Sequence, residues 1–205
     1  MECTVTQSTY LAQVVSRFTN PCILSTITLL LIAYTESDNL HELVVWVATI
    51  LLFFVLMPVV YVYVRIFRSG SRIKSVAELT IFLKQHPRDI LILALLLGLP
   101  CLATLWFLNV PTPLISTLVA LTASSIVTAL LNIFYRVSFH LTAITILVVM
   151  AAQAWGQIFL VLLTTIPLIV WAKYHIHEHT IPQLLMGITV AMFVSLATLH
   201  LFSRL

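Results

Sequence analysis

The chain has 205 residues, 61% of them hydrophobic and only 8% charged, with a formal net charge of +3; a soluble domain carries about a quarter charged residues. With a mean hydropathy of +1.11, this much apolar surface cannot be hidden in one soluble core, and lipid is the expected solvent. The 10 Lys and Arg residues are too few for a basic stripe with stacking aromatics, which excludes a nucleic-acid surface, and Cys3, Cys22 and Cys101 have no spacing for a zinc thiolate site.

In chain order, the polar start at 1–10 lacks a basic region followed by a short apolar run, so no cleavable signal peptide is expected. Apolar runs then cover about 12–35, 43–64, 89–108, 114–135, 138–156, 158–173 and 180–202. Spanning a bilayer takes about 17–25 apolar residues in a helix. A strand-built span would alternate with period two, and these runs do not. The expected fold is therefore all-α: a polytopic transmembrane bundle of about seven spans, forming one domain over 1–205. The first run is the weakest, interrupted by Gln13, Ser16, Arg17, Thr19, Asn20 and Pro21.

Breaks are well marked. Glu36-Ser37-Asp38-Asn39 separates the first two runs, Asn109 to Pro113 makes a tight turn, and Gly156 lies between the fifth and sixth runs. The long polar connector, about 65–88, has room for a short surface helix over 75–86, with Val76, Leu79, Ile81, Phe82 and Leu83 against lipid. Small Ala, Ser and Thr residues in 116–129 suit tight helix packing, within the chain or between chains.

Charge sets the expected orientation. With seven spans, Arg17, Arg65, Arg68, Arg72, Lys74, Lys84, Arg88, Arg136 and Lys173 share the side of the N-terminus, and only Arg204 joins Glu36, Asp38 and Glu42 opposite. The positive-inside rule makes the basic side cytoplasmic. The expected location is the plasma membrane of a prokaryote, with the N-terminus and the active face cytoplasmic.

Two segments carry the chemistry: Arg136-Val137-Ser138-Phe139-His140, and 172–183, reading Ala-Lys-Tyr-His-Ile-His-Glu-His-Thr-Ile-Pro-Gln. Each opens an apolar run, and two crossings separate them, so both belong to one face. His86 and Arg88 of the connector belong there too. Cleaving a phosphate ester requires a nucleophile at phosphorus, cations on the non-bridging oxygens and an acid for the leaving alkoxide. His179 suits the nucleophile and His140 the acid. Lys173, Arg136, Lys84 and Arg88 offer positive charge. Ser138 offers a hydroxyl or a helix cap. Gln183, four residues beyond His179, offers a carbonyl oxygen to orient the imidazole.

These residues resemble the type 2 phosphatidic acid phosphatase superfamily of membrane lipid phosphatases. Its pattern is Lys-x6-Arg-Pro, then Pro-Ser-Gly-His, then Ser-Arg-x5-His-x3-Asp. Val137-Ser138-Phe139-His140 matches the second element at Ser and His, and Ala172-Lys173-x5-His179-x3-Gln183 matches the third in spacing. The chain also reads His179-Thr180-x-x-Gln183-x-x-x-Gly187, a form found in diverged relatives. The motif-bearing region is about 78–202. The resemblance implies a phosphohistidine formed on His179, His140 as general acid, Lys173 in place of a phosphate-binding arginine, and no cofactor or metal. It implies an amphiphilic phosphorylated lipid as substrate, either a prenyl phosphate or diphosphate or a phosphatidyl-type lipid. Several positions depart from the pattern. His86-Pro87 stands for Arg-Pro with Leu79 where lysine belongs, Phe139 stands for glycine, and Gln183 stands for the aspartate that balances charge on the histidine. The alternatives are a non-catalytic or weakly catalytic lipid-phosphate binding or transport protein of the same fold, or a lipid phosphotransferase. A further alternative sets His175, His177 and His179 on one face of an extended segment as metal ligands. Oligomeric state is not encoded in any of these signals.

Overall fold

The computed structural model describes residues 7–69 and 91–204, and every regular element among them is helical. The expected surface helix at 75–86 and the candidates Lys84, His86 and Arg88 lie outside the described residues. The helices are α1 (Gln7–Phe18), α2 (Pro21–Glu36), α3 (Leu40–Leu51), α4 (Met57–Ser69), α5 (Leu99–Phe107), α6 (Thr112–Phe134), α7 (Phe139–Trp155), α8 (Thr165–His175) and α9 (Ile181–Phe202). A wide π-helical turn, Leu52–Leu56, carries α3 directly into α4, and a second, Ala94–Gly98, enters α5. A tight 3-10 stretch, Gln157–Thr164, leads into α8.

Local chemistry sets these boundaries. Asn20 accepts a hydrogen bond from the Cys22 amide at 3.0 Å, and Asn39 accepts one from Glu42 at 2.9 Å, capping α2 and α3. Asn109 turns the chain before α6 with a left-handed φ of 50°. Gly156 ends α7 at φ 103°, ψ 161°, a region essentially restricted to glycine.

Among the described residues, four continuous helical segments are long and apolar enough to cross a bilayer: Leu40–Val64, Thr112–Phe134, Gln157–His175 and Ile181–Phe202. Ser8–Ser16 and Pro21–Glu36 meet at a bend of 47° and make a fifth if taken as one broken span. Leu91–Phe107 and Phe139–Trp155 are apolar but shorter. The seven expected runs are thus all helical where described, and four or five of them have the length of a membrane span. Such a bundle fits an integral membrane protein. Its outward aromatics, among them Phe67, Phe107 and Phe134, are almost fully exposed and suit a lipid-facing surface.

The centre of the bundle is α7 packed between α6 and α9. Residues 144–151 of α7 are buried without a break, so this helix has no solvent or lipid face along its middle. Close packing comes from small side chains: Ser116, Thr117, Thr122, Ser124 and Thr128 on α6, Thr142 and Thr145 on α7, Ser195 and Thr198 on α9 are all buried. Several return their hydroxyls to a carbonyl one turn back, Thr117 to Pro113 at 2.7 Å and Thr198 to Val194 at 2.8 Å. Ser116 also bonds Gln153 of α7 at 3.0 Å. The 116–129 stripe therefore packs within the chain.

Candidate functional site

Helices α7 and α9 begin side by side at one end of the bundle. The Ser138 amide donates to the Gln183 carbonyl at 3.4 Å. The Thr142 hydroxyl lies 3.0 Å from the Ser138 carbonyl and 3.2 Å from the Gly187 carbonyl, bridging the two helix starts. Gly187 permits this approach, because a Cβ there would stand 2.9 Å from the Ser138 carbonyl oxygen. Ser138 is buried and caps α7, its hydroxyl accepting from the Leu141 amide at 3.5 Å. Asn132 braces the connection from α6: its Oδ1 accepts from the Val137 amide at 3.1 Å, and its Nδ2 donates to the carbonyls of Val137 at 3.2 Å and Thr128 at 2.8 Å. Sequence reasoning missed Asn132. Its signal was an amide inside an apolar run, six residues before the Ser138 cap.

The nucleophile candidate sits just ahead of α9. His179 Nδ1 lies 3.3 Å from Gln183 Oε1, as its spacing predicts. The same oxygen accepts from the Thr180 amide at 3.2 Å, and Thr180 with Gln183 forms the capping box of α9. A backbone N–H can meet only the oxygen of the side-chain amide, so Thr180 fixes which way Gln183 points. Facing an acceptor, Nδ1 of neutral His179 must carry the ring proton, and the lone pair falls on Nε2. The His-Thr-x-x-Gln-x-x-x-Gly spacing therefore has a local cause: Thr180 and Gln183 start the helix, Gln183 sets the tautomer of His179, and Gly187 lets α9 reach α7. His140 lies on the first turn of α7, two residues past Ser138 and half-buried. The start of α7, as a helix N-terminus, favours an anion in this layer; at the start of α9, Pro182 has no N–H and the amides of Thr180 and Gln183 are used by the capping box.

Lys173 is 1% exposed. Its ammonium lies 2.7 Å from Glu178 Oε2 and 2.7 Å from Ser16 Oγ of α1. Glu178 lies five residues beyond Lys173, within local reach, whereas the tie to Ser16 of α1 was not legible in the sequence. The turn that makes the pair is a Schellman motif. The Glu178 amide bonds the Lys173 carbonyl at 3.2 Å, and the His177 amide bonds Tyr174 at 3.0 Å. His177 takes the left-handed position, φ 54°, that such motifs usually give to glycine. Arg136 is exposed on the α6–α7 connection, two residues from Ser138.

The three alternating histidines do not share a face. The chain turns at His177 instead of staying extended. His175 ends α8 stacked on Trp171 with centroids 5.4 Å apart, and His179 turns to Gln183. Among the described residues, no three His, Cys, Asp or Glu side chains converge to hold a metal. An open cleft of about 540 Å³ lies beside this turn, lined by Thr9 and Gln13 of α1 and by Tyr174, His175, Ile176 and His177. It adjoins the Lys173–His179 segment without including His140 or His179.

The fold and this end of it define a membrane-type helical bundle with an oriented imidazole at two helix starts. No family model, curated protein or solved structure matches the chain.

Proposed function

We propose that this chain is an integral membrane phosphatase of amphiphilic phosphates, a diverged relative of the type 2 phosphatidic acid phosphatases with about seven spans. In this reading Nε2 of His179 attacks phosphorus, and the bond from phosphorus to the lipid oxygen breaks. His140 protonates the departing alkoxide. Water, deprotonated by His140, then cleaves the phosphohistidine and releases inorganic phosphate. Ser138, Lys173 and Arg136, with Lys84, His86 and Arg88 of the connector, hold the phosphate oxygens. The lipid tail lies among the apolar helices, and the cleaved ester sits at the cytoplasmic face of a prokaryotic plasma membrane. The observation that carries the reading is the contact of Gln183 with His179 Nδ1, which leaves Nε2 as the nucleophilic nitrogen.

The test is phosphate release by purified protein in detergent with EDTA present. The panel is a prenyl monophosphate, a prenyl diphosphate and phosphatidic acid, beside His140→Ala and His179→Ala. Release lost in both folded variants is the expected result. Release unchanged in His179→Ala overturns the assignment. A second reading, lipid-phosphate binding or phosphotransfer with little hydrolysis, is favoured by one observation: Gln183 gives the histidine a bond but no compensating charge. Tight lipid binding with no release from any substrate selects that reading.

A further inference from the structure

A buried ammonium is costly unless acceptors surround it. Lys173, 1% exposed, has two at 2.7 Å: the Glu178 carboxylate, on the turn before α9, and the Ser16 hydroxyl, on α1. The first comes from the lysine's own neighbourhood. The second comes from 157 positions away, outside the motif-bearing region. Packing brings α1 there. Ala12, Val15 and Ser16 are three or four residues apart and share one face of the helix. Ala12 is fully buried. Val15 packs against the apolar cluster that holds Leu141 and Leu184, each one position beyond a candidate site residue. The helix as a whole lies chiefly on α8.

We infer that Ser16 is a positioning residue of the phosphatase site: through Lys173 and Glu178 it fixes the chain just ahead of His179, and α1 is part of the site although no motif residue lies on it. The inference rests on the phosphatase reading above and deepens it. A lysine head is a point charge on a flexible stem, without the rigid fork of a guanidinium, so its direction is set by what it bonds. Drawn to Ser16 on one side, it draws Glu178 on the other. Glu178 immediately precedes His179, and His179 is bonded ahead to Gln183, itself fixed by Thr180. The proposed nucleophile thus sits between two anchored neighbours, one held from α9 and one held, through the ammonium, from α1. Removing the Ser16 hydroxyl leaves a buried charge one acceptor short. The head must then seek another partner, and Glu178, paired to it, moves with it.

The experiment is a single turnover by the full chain in detergent. The lipid is the prenyl monophosphate, prenyl diphosphate or phosphatidic acid that wild type cleaves fastest, labelled in its phosphate. Enzyme is in large excess over lipid, so an unfolded fraction does not alter the rate constant. The proteins are wild type, Ser16→Ala, Ser16→Thr, Lys173→Gln and Ser16→Ala combined with Lys173→Gln. In Ser16→Ala the rate constant should fall on the order of 10-fold, the scale of one hydrogen bond to a charged group. Ser16→Thr keeps the hydroxyl and should stay within about 2-fold of wild type, and Ser16→Ala should cost less than about 2-fold when Lys173 is already glutamine. If Ser16→Ala does not fold, Ser16→Cys, similar in size but a weaker acceptor, should show a smaller fall. A wild-type rate constant without the serine hydroxyl, equal slowing in Ser16→Thr, or the same loss with and without Lys173 overturns the inference while the phosphatase reading stands. If wild type cleaves none of the three lipids, the phosphatase reading fails and the inference fails with it.

Discussion

Replacing Gly187 with alanine tests whether the close start of α7 and α9 builds the site. The added Cβ would lie 2.9 Å from the Ser138 carbonyl oxygen and 3.1 Å from Thr142 Oγ1, whereas ordinary contact begins at 3.4 Å. The difference of 0.5 Å at the carbonyl has to come from moving one helix start. Ser138 cannot easily yield. Its own cap and the Asn132 brace hold that stretch of backbone. Overpacking of this kind costs about 1–3 kcal/mol, and replacing a helical glycine returns about 1 kcal/mol. A net loss of up to about 2 kcal/mol is expected. The displacement would move Gln183, and His179 bonded to it, relative to the start of α7. A misplacement near 1 Å can cost about 100-fold in rate, so a shift half that size should cost roughly 10-fold. Thermal unfolding in detergent and phosphate release, measured on the same preparation, read both effects. Wild-type melting and wild-type turnover in Gly187→Ala would refute the argument that this approach is tight and that it positions the histidines.

Three further outcomes follow from the same geometry and, where phosphate release is read, from the proposed phosphatase function. Asn132→Ala leaves three backbone groups without their side-chain partner and should destabilise the protein by about 2 kcal/mol, with reduced phosphate release, read by denaturation and assay together. His177→Gly should match or exceed wild-type stability by up to about 1 kcal/mol, because the left-handed position suits glycine, and should keep its activity; His177→Val should lose at least that much. Gln183→Glu keeps an acceptor for the Thr180 amide and for His179 Nδ1 while adding charge opposite the developing imidazolium, so release should rise on the order of 10-fold; Gln183→Leu should abolish it. Equal turnover in the two Gln183 variants would remove the glutamine from the mechanism.

What the sequence made legible was local. The apolar runs, the Asn109 and Gly156 breaks, the Ser138 cap and the four-residue step from His179 to Gln183 all depend on neighbours within a turn or two, and each is in the structure. Contacts between distant residues left no such trace. Ser16 looked like one of several polar interruptions in a weak first run, yet it bonds Lys173, 157 positions away. Asn132 was hidden because a single amide hardly alters the hydropathy of a run of 23 helical residues. The alternating histidines misled for a related reason. Alternation specifies a shared face only if the backbone stays extended, and the end of α8 imposes a turn on them instead. The Ser138 cap and the Gly156 stop leave α7 17 residues, the short end of the range for a membrane span.

The 3-10 stretch ahead of α8 sets both the length of its segment and the bearing of Lys173. Its 8 residues are largely exposed and apolar, Ile158 and Val161 among them. At about 2.0 Å per residue instead of 1.5, it makes this segment about 4 Å longer than an α-helix would be. Winding it into an α-helix would shorten the span toward a thinner bilayer, and it would also turn everything beyond it. At three residues per turn against 3.6, eight residues differ by about 160° of rotation. Lys173 would then face away from Ser16. The segment is a screw as well as a spacer: the way eight residues are wound fixes the direction of a single ammonium group.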